Sequence, residues 1–177
     1  MASRIAAKLD AAKLKDYAAR LLAGRALTSA ELRRKLRSKA ARLEDADEVL
    51  EALRGYGMVD DRRLASSFAT NRAESGLMGR TKAFAQLRGK GVASTIAQNA
   101  VAQAYDGRDE VKMVEEYLAR KYRSKNLGAL LQDKAKLASV YRRLRAAGFG
   151  SAAAIGALKR HARDAEMLED MPEETGE

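Results

Sequence analysis

Apolar residues first recur at helical spacing between about Asp10 and Arg25, where Leu14, Tyr17, Ala18, Leu21 and Leu22 return to one face. Gly24 marks the end of that helix. Next comes Thr28-Ser-Ala-Glu31, the spacing at which a hydroxyl and a carboxylate can each satisfy a free backbone N–H at a helix start. It opens a second helix with Leu32 and Leu36 inward. A third is predicted from about Glu44 to Arg54, where an acid-rich first turn suits the helix dipole and Gly55 and Gly57 stop the element.

The three-helix unit recurs. Leu36-Arg-Ser-Lys-Ala-Ala lines up with Leu87-Arg-Gly-Lys-Gly-Val and with Leu144-Arg-Ala-Ala-Gly-Phe, at separations of 51 and 57 residues. Each marks the end of a second helix, followed by a short turn and another helix. Ser94 is predicted to cap the helix carrying Ile96, Ala100 and Val101, and Ser151 the one carrying Ile155 and Leu158. Matching first helices run from Arg62 to Arg72, with Leu64 and Phe68, and from Arg108 to Arg123, with Val111, Val114 and Leu118. Alanine- and leucine-rich helices align with one another readily, so the shared Leu-Arg joint carries the repeat more than periodicity does. The expected layout is a flexible N-terminus 1–9, repeats 10–60, 61–107 and 108–163, and an acidic disordered tail 164–177. A unit of roughly fifty residues is marginal alone, so the repeats should stack into an elongated, curved array.

Composition agrees with an all-α fold of helix-turn-helix-like repeats. Aromatics are 5% of residues, Trp is absent, and the single proline is Pro172, which leaves the rest free of the strongest helix breaker. No cysteine is present, which excludes disulfides and thiolate metal sites and suits a reducing cytoplasm. Residues 1–15 hold no apolar run fit for a signal peptide or membrane span, so a soluble cytoplasmic chain without membrane contact is expected. Charge changes the picture most. The segment from Asp164 carries 7 acids and no base, so residues 1–163 hold all 34 Lys and Arg against 17 acids, an excess of +17. Such an excess points to a polyanionic partner, nucleic acid foremost, with a solvated basic surface as the plain alternative.

Several segments read in order resemble the RecX family of small bacterial regulators. They are Leu21-Leu-Ala-Gly-Arg25-Ala-Leu-Thr-Ser-Ala-Glu31-Leu32, then Leu53-Arg-Gly-Tyr-Gly-Met-Val-Asp60-Asp61-Arg-Arg-Leu-Ala65, then Leu87 to Val92 and Leu144 to Phe149. The resemblance spans about Leu14 to His161. Two positions depart from the family pattern: Ala40, where the first joint often has Gly, and Gln86, where the second repeat often has Glu. The resemblance implies three tandem three-helix repeats that bind the RecA–single-stranded DNA filament and restrain strand exchange, ATP hydrolysis and coprotease activity. It places the chain in DNA repair, homologous recombination and the SOS response. The other reading of the same residues is a helix-turn-helix DNA-binding repressor, since Arg-rich second helices also suit major-groove docking.

Candidate contact residues for DNA or RecA are the bases of the three second helices: Arg33, Arg34, Arg37 and Lys39; Arg80, Lys82, Arg88 and Lys90; Arg142, Arg143 and Arg145. Aligned by stacking, they would form a track that follows phosphates without reading bases, single-stranded DNA being the first partner and double-stranded DNA a further one. Other singular residues read as structural. Asp60 suits an N-cap and Asp61 a dipole partner, Arg25 suits a pair with Glu31, and Gly91 and Gly148 suit tight helix ends with positive φ. Gly76-Leu-Met-Gly79 lacks the Gly-Lys-Ser/Thr ending of a phosphate loop. The one histidine, His161, can complete no Ser/His/Asp or two-histidine set within the chain and reads as a solvated cap. A non-enzymatic monomer without cofactor or metal is expected.

Overall fold

The computed structural model describes residues 8–162 and 165, so the acidic segment 164–177 lies, apart from Ala165, outside the described residues. Among the described residues ten helices follow one another: α1 Ala11–Gly24, α2 Ser29–Lys39, α3 Leu43–Gly55, α4 Asp61–Ser75, α5 Arg80–Gly89, α6 Ser94–Ala104, α7 Glu110–Lys121, α8 Leu127–Leu130, α9 Lys134–Ala146 and α10 Ser151–Lys159. The fold is all-α. The stretch 108–163, where three helices were expected, holds four because of the short α8. Among the described residues no helix is long and apolar enough to cross a membrane.

The chain divides into two compact units: residues up to 68 together with 86–100, and 69–85 together with those from 101 onward. The division does not follow the repeat boundaries expected near 60 and 107 but falls inside α4, α5 and α6. In the first unit, Leu14 and Ala18 of α1, Leu32 and Leu36 of α2, and Ala46, Val49, Leu50 and Leu53 of α3 form a buried core with Leu27, Ala40 and Val59. Lys8 and Leu9 belong with this unit: the Leu9 N–H donates to the Lys39 carbonyl (2.8 Å) and the Ala41 N–H to that of Leu9 (2.8 Å). In the second unit, α10 packs on α7 and α9. Val114, Leu118, Leu137, Leu144 and Phe149 are buried there, and Phe149 meets Tyr117 edge-on at 5.6 Å.

α4 departs from the expected pattern. Its fully buried positions are Ala65, Ala69 and Ala73, while Leu64 and Phe68 stay partly buried. An alanine stripe allows close helix approach without the apolar–polar contrast that a sequence scan detects. The expected serine caps also differ. α6 and α10 begin at Ser94 and Ser151 themselves, so neither sits at the N-cap. On α10 the N-cap is Gly150, whose N–H is held by Glu110 Oε1 at 2.9 Å, while the Ser151 hydroxyl meets that of Tyr141 at 2.8 Å.

The second and third joints are built alike. Gly91 and Gly148 have φ of +81° and +89°. The Gly91 and Gly148 N–H groups donate to Arg88 and Arg145 carbonyls (2.9 and 2.8 Å), and those of Val92 and Phe149 to Leu87 and Leu144 carbonyls (3.1 and 3.2 Å). Such paired bonds close the carbonyl end of a helix and need a left-handed residue. Each joint also receives the start of an earlier second helix. Thr28 donates its hydroxyl to the Lys90 carbonyl (2.6 Å), and the Gly79 N–H donates to the Ala147 carbonyl (2.9 Å), at the matching repeat position. The approach is tight: a Cβ on Gly91 would lie 2.4 Å from Ala30 Cβ, and one on Gly148 would lie 2.4 Å from the Lys82 nitrogen. The first joint has Ala40 at φ −63° and uses the Leu9 pairing instead.

Candidate nucleic-acid interface

The family-like residues assemble a hub at the start of α2. Thr28 Oγ1 accepts the Glu31 N–H (3.0 Å) and Glu31 Oε2 accepts the Thr28 N–H (3.2 Å), closing a capping box. Glu31 also pairs with Arg25 (3.5 Å) and Lys90 (3.5 Å), so three segments converge on one carboxylate. Burial alone would raise the Glu31 pKa. The Thr28 N–H and the charges of Lys90 and Arg25 outweigh that and hold it below the ordinary carboxylate value. Asp60 caps α4, accepting the N–H groups of Arg62 (2.9 Å) and Arg63 (3.0 Å), and the Arg63 bond chiefly lowers its pKa. Asp61 does more than face its own helix dipole, since its carboxylate accepts the Ser29 N–H at 2.7 Å and so caps α2 as well.

The eleven candidate bases separate by what they touch. On α2, Arg33 lies 3.1 Å from Asp47 and 3.9 Å from Glu51, and Arg37 lies 3.3 Å from Asp47, so α3 compensates both. Lys90 belongs to the Glu31 hub. Arg88 donates to the Val92 carbonyl (2.5 Å) and Arg145 to the Phe149 carbonyl (3.0 Å), each residue reaching four positions ahead to clamp its own joint. Arg80 donates to the Tyr105 carbonyl (3.4 Å) and Arg143 to the Tyr122 hydroxyl (3.1 Å). Arg34, Lys39, Lys82 and Arg142 have no ion pair or side-chain hydrogen bond among the described residues. Of these, Arg34, Lys82 and Arg142 are exposed and Lys39 is half-buried. Arg34 and Arg142 occupy the same repeat position, two residues before the joint leucine.

Further arginines serve the fold in ways the sequence reading missed. Arg108 donates to the Ala73 carbonyl (3.4 Å) and Arg120 to that of Ser75, placing two cations at the carbonyl end of α4. The Tyr105 hydroxyl donates to the Met78 carbonyl (2.9 Å), and burial raises its pKa. This bond and the Gly79 docking give Gly76-Leu-Met-Gly79 a structural use. His161 is no solvated cap: it is half-buried, with Nε2 2.8 Å from Glu115 Oε2. Among the described residues, no group of three or more His, Cys, Asp or Glu is placed to hold a metal ion.

Comparison with known proteins adds relatives. No family model matches the chain. The regulatory protein RecX of Chlorobaculum tepidum is 34% identical over 109 residues, covering 62% of this chain and 66% of that protein. The regulatory protein RecX of Trichlorobacter lovleyi is 30% identical over 105 residues, covering 59% of this chain and 68% of that one. The chain thus spans about two thirds of the length of these curated relatives. The crystal structure of RecX from Lactobacillus salivarius aligns with a TM-score of 0.66 at 20% identity, covering 85% of this chain and 96% of that one. At that identity the likeness concerns the fold.

Proposed function

The chain belongs to the RecX family of regulatory proteins, and from that premise we propose that it binds the RecA filament on single-stranded DNA and restrains its ATP hydrolysis, strand exchange and coprotease activity. It does so by binding alone, as a cytoplasmic monomer without catalytic chemistry or cofactor, in homologous recombination and the SOS response. The observation that carries the reading is charge. Residues 1–163 hold an excess of +17, and the side chains of Arg34, Lys39, Lys82 and Arg142 are left without an intramolecular polar partner among the described residues. Bases without a protein acid beside them are the ones a phosphate backbone can recruit at least cost, because no existing pair must be broken. Arg33, Arg37 and Lys90 support the surface and contact phosphate only by exchanging partners.

The test is RecA-dependent ATP hydrolysis on single-stranded DNA with this protein titrated in. Hydrolysis should fall as the protein reaches the filament's binding capacity. Unchanged hydrolysis well above that amount would contradict the proposal, and a preferred duplex operator would move the chain to the repressor class.

A further inference from the structure

Between Tyr117 and Gln132 the sequence has four bases, Arg120, Lys121, Arg123 and Lys125, and no acid. Arg120 is engaged by the Ser75 carbonyl. The side chains of Lys121, Arg123 and Lys125 are exposed and make no ion pair or hydrogen bond among the described residues. The next acid, Asp133, is occupied by the N–H groups of Ala135 (2.9 Å) and Lys136 (3.2 Å) and by the Lys136 ammonium (3.5 Å).

The segment is pinned. Tyr122 is buried, and its N–H donates to the Leu118 carbonyl (2.8 Å). Its carbonyl accepts the Lys125 N–H (2.8 Å), which folds the segment into a turn. Its hydroxyl accepts from Arg143 (3.1 Å), tying the turn to α9, where exposed Arg142 is the adjoining residue. Bases held on a turn whose backbone is already fixed lose less entropy on binding than bases on a mobile segment.

We propose that this turn, through Lys121, Arg123 and Lys125, is a contact site for a nucleic-acid phosphate backbone. The proposal deepens, and rests on, the reading that the protein binds DNA. A polyphosphate fits the turn better than a protein partner does. Stable protein interfaces have an apolar or aromatic centre and are depleted in lysine, whereas residues 121–125 present no exposed large apolar side chain. The turn's one aromatic ring is buried and unavailable for stacking on bases, so the contact is to phosphates and carries no sequence preference.

The test compares the full chain with its Lys121→Ala/Arg123→Ala/Lys125→Ala variant, using a labelled oligothymidylate titrated over a salt series. Three lost contacts at about 0.7 each should lower the slope of log affinity against log salt by about 2, and affinity near 0.1 M salt on the order of a hundredfold. A charge-preserving Lys121→Arg/Arg123→Lys/Lys125→Arg variant should keep the wild-type slope. If the alanine variant keeps that slope, or the charge-preserving variant loses it, the turn is not the contact site, and DNA binding must be sought on other bases. If the wild-type protein itself binds no oligonucleotide at low salt, the DNA-binding reading fails, and the turn proposal with it.

Discussion

In the first repeat, the arginine after the joint leucine is Arg37, which lies 3.3 Å from Asp47. In the third, the matching Arg145 donates to the Phe149 carbonyl at 3.0 Å and so clamps its own joint. The two stretches look equivalent in sequence, yet their arginines serve different ends. The cause lies in the element that follows. α3 opens with acids that suit its own dipole, and further along Asp47 comes within reach of Arg33 and Arg37, and Glu51 of Arg33. α10 opens with Ser-Ala-Ala-Ala and offers no carboxylate. A basic cluster is therefore a field only where its neighbours leave it uncompensated. In this chain Arg34, Lys82, Arg142 and the 121–125 turn meet that condition better than Arg33 and Arg37 do.

The largest effects are expected at the joints. Gly148→Ala places a Cβ against the Lys82 backbone nitrogen at a φ of +89° and should lose about 3 kcal/mol or more in urea denaturation. Gly91→Ala meets only the Ala30 methyl and should lose somewhat less, about 2 kcal/mol. Ala40→Gly at the first joint, where φ is −63°, should cost no more than about 1 kcal/mol. Equal losses at all three joints would show that the first joint works like the others.

The Glu31 hub should show the next largest effect. Glu31→Gln should cost about 1–2 kcal/mol by weakening the capping box and both ion pairs. The carboxyl is held below its ordinary value in the folded state, so its contribution is whole above the unfolded value of about 4.3 and is lost as pH falls through the lowered folded value. Stability of the wild type and the variant, measured from pH 7 downward, should therefore converge below about pH 4. A constant gap would assign the loss to packing.

A smaller effect is expected on α2. Arg33→Ala/Arg37→Ala removes exposed pairs with α3 and should change stability by less than about 1 kcal/mol. It should also leave the salt dependence of DNA binding nearly unaltered, whereas Arg34→Ala/Arg142→Ala should lower its slope by roughly 1 to 1.5. The reverse ranking would show that paired arginines give up their acids readily to phosphate.

Much of this could be read from the chain because it depends on neighbours in sequence. The Thr28–Glu31 box, the Asp60 cap and the left-handed Gly91 and Gly148 each follow from a few adjacent residues. The rest depends on register between helices. That Asp47 faces Arg33, that Asp61 caps α2 and that Glu110 holds the Gly150 N–H ahead of α10 are properties of packing, which no local spacing encodes. The alanine face of α4 was hidden for another reason: Ala65, Ala69 and Ala73 bury fully while contributing little hydrophobic contrast.

The proposed function has the chain recognise the RecA filament, with DNA contacts in support. Its most direct test is the affinity of the wild-type protein for one single-stranded oligonucleotide, bare and then coated with RecA in the presence of a non-hydrolysed ATP analogue, at one physiological salt concentration. Tighter binding to the coated strand is expected, by about tenfold or more, a coupling of about 1.4 kcal/mol. Equal affinity for both forms, or weaker binding to the coated strand, would contradict it.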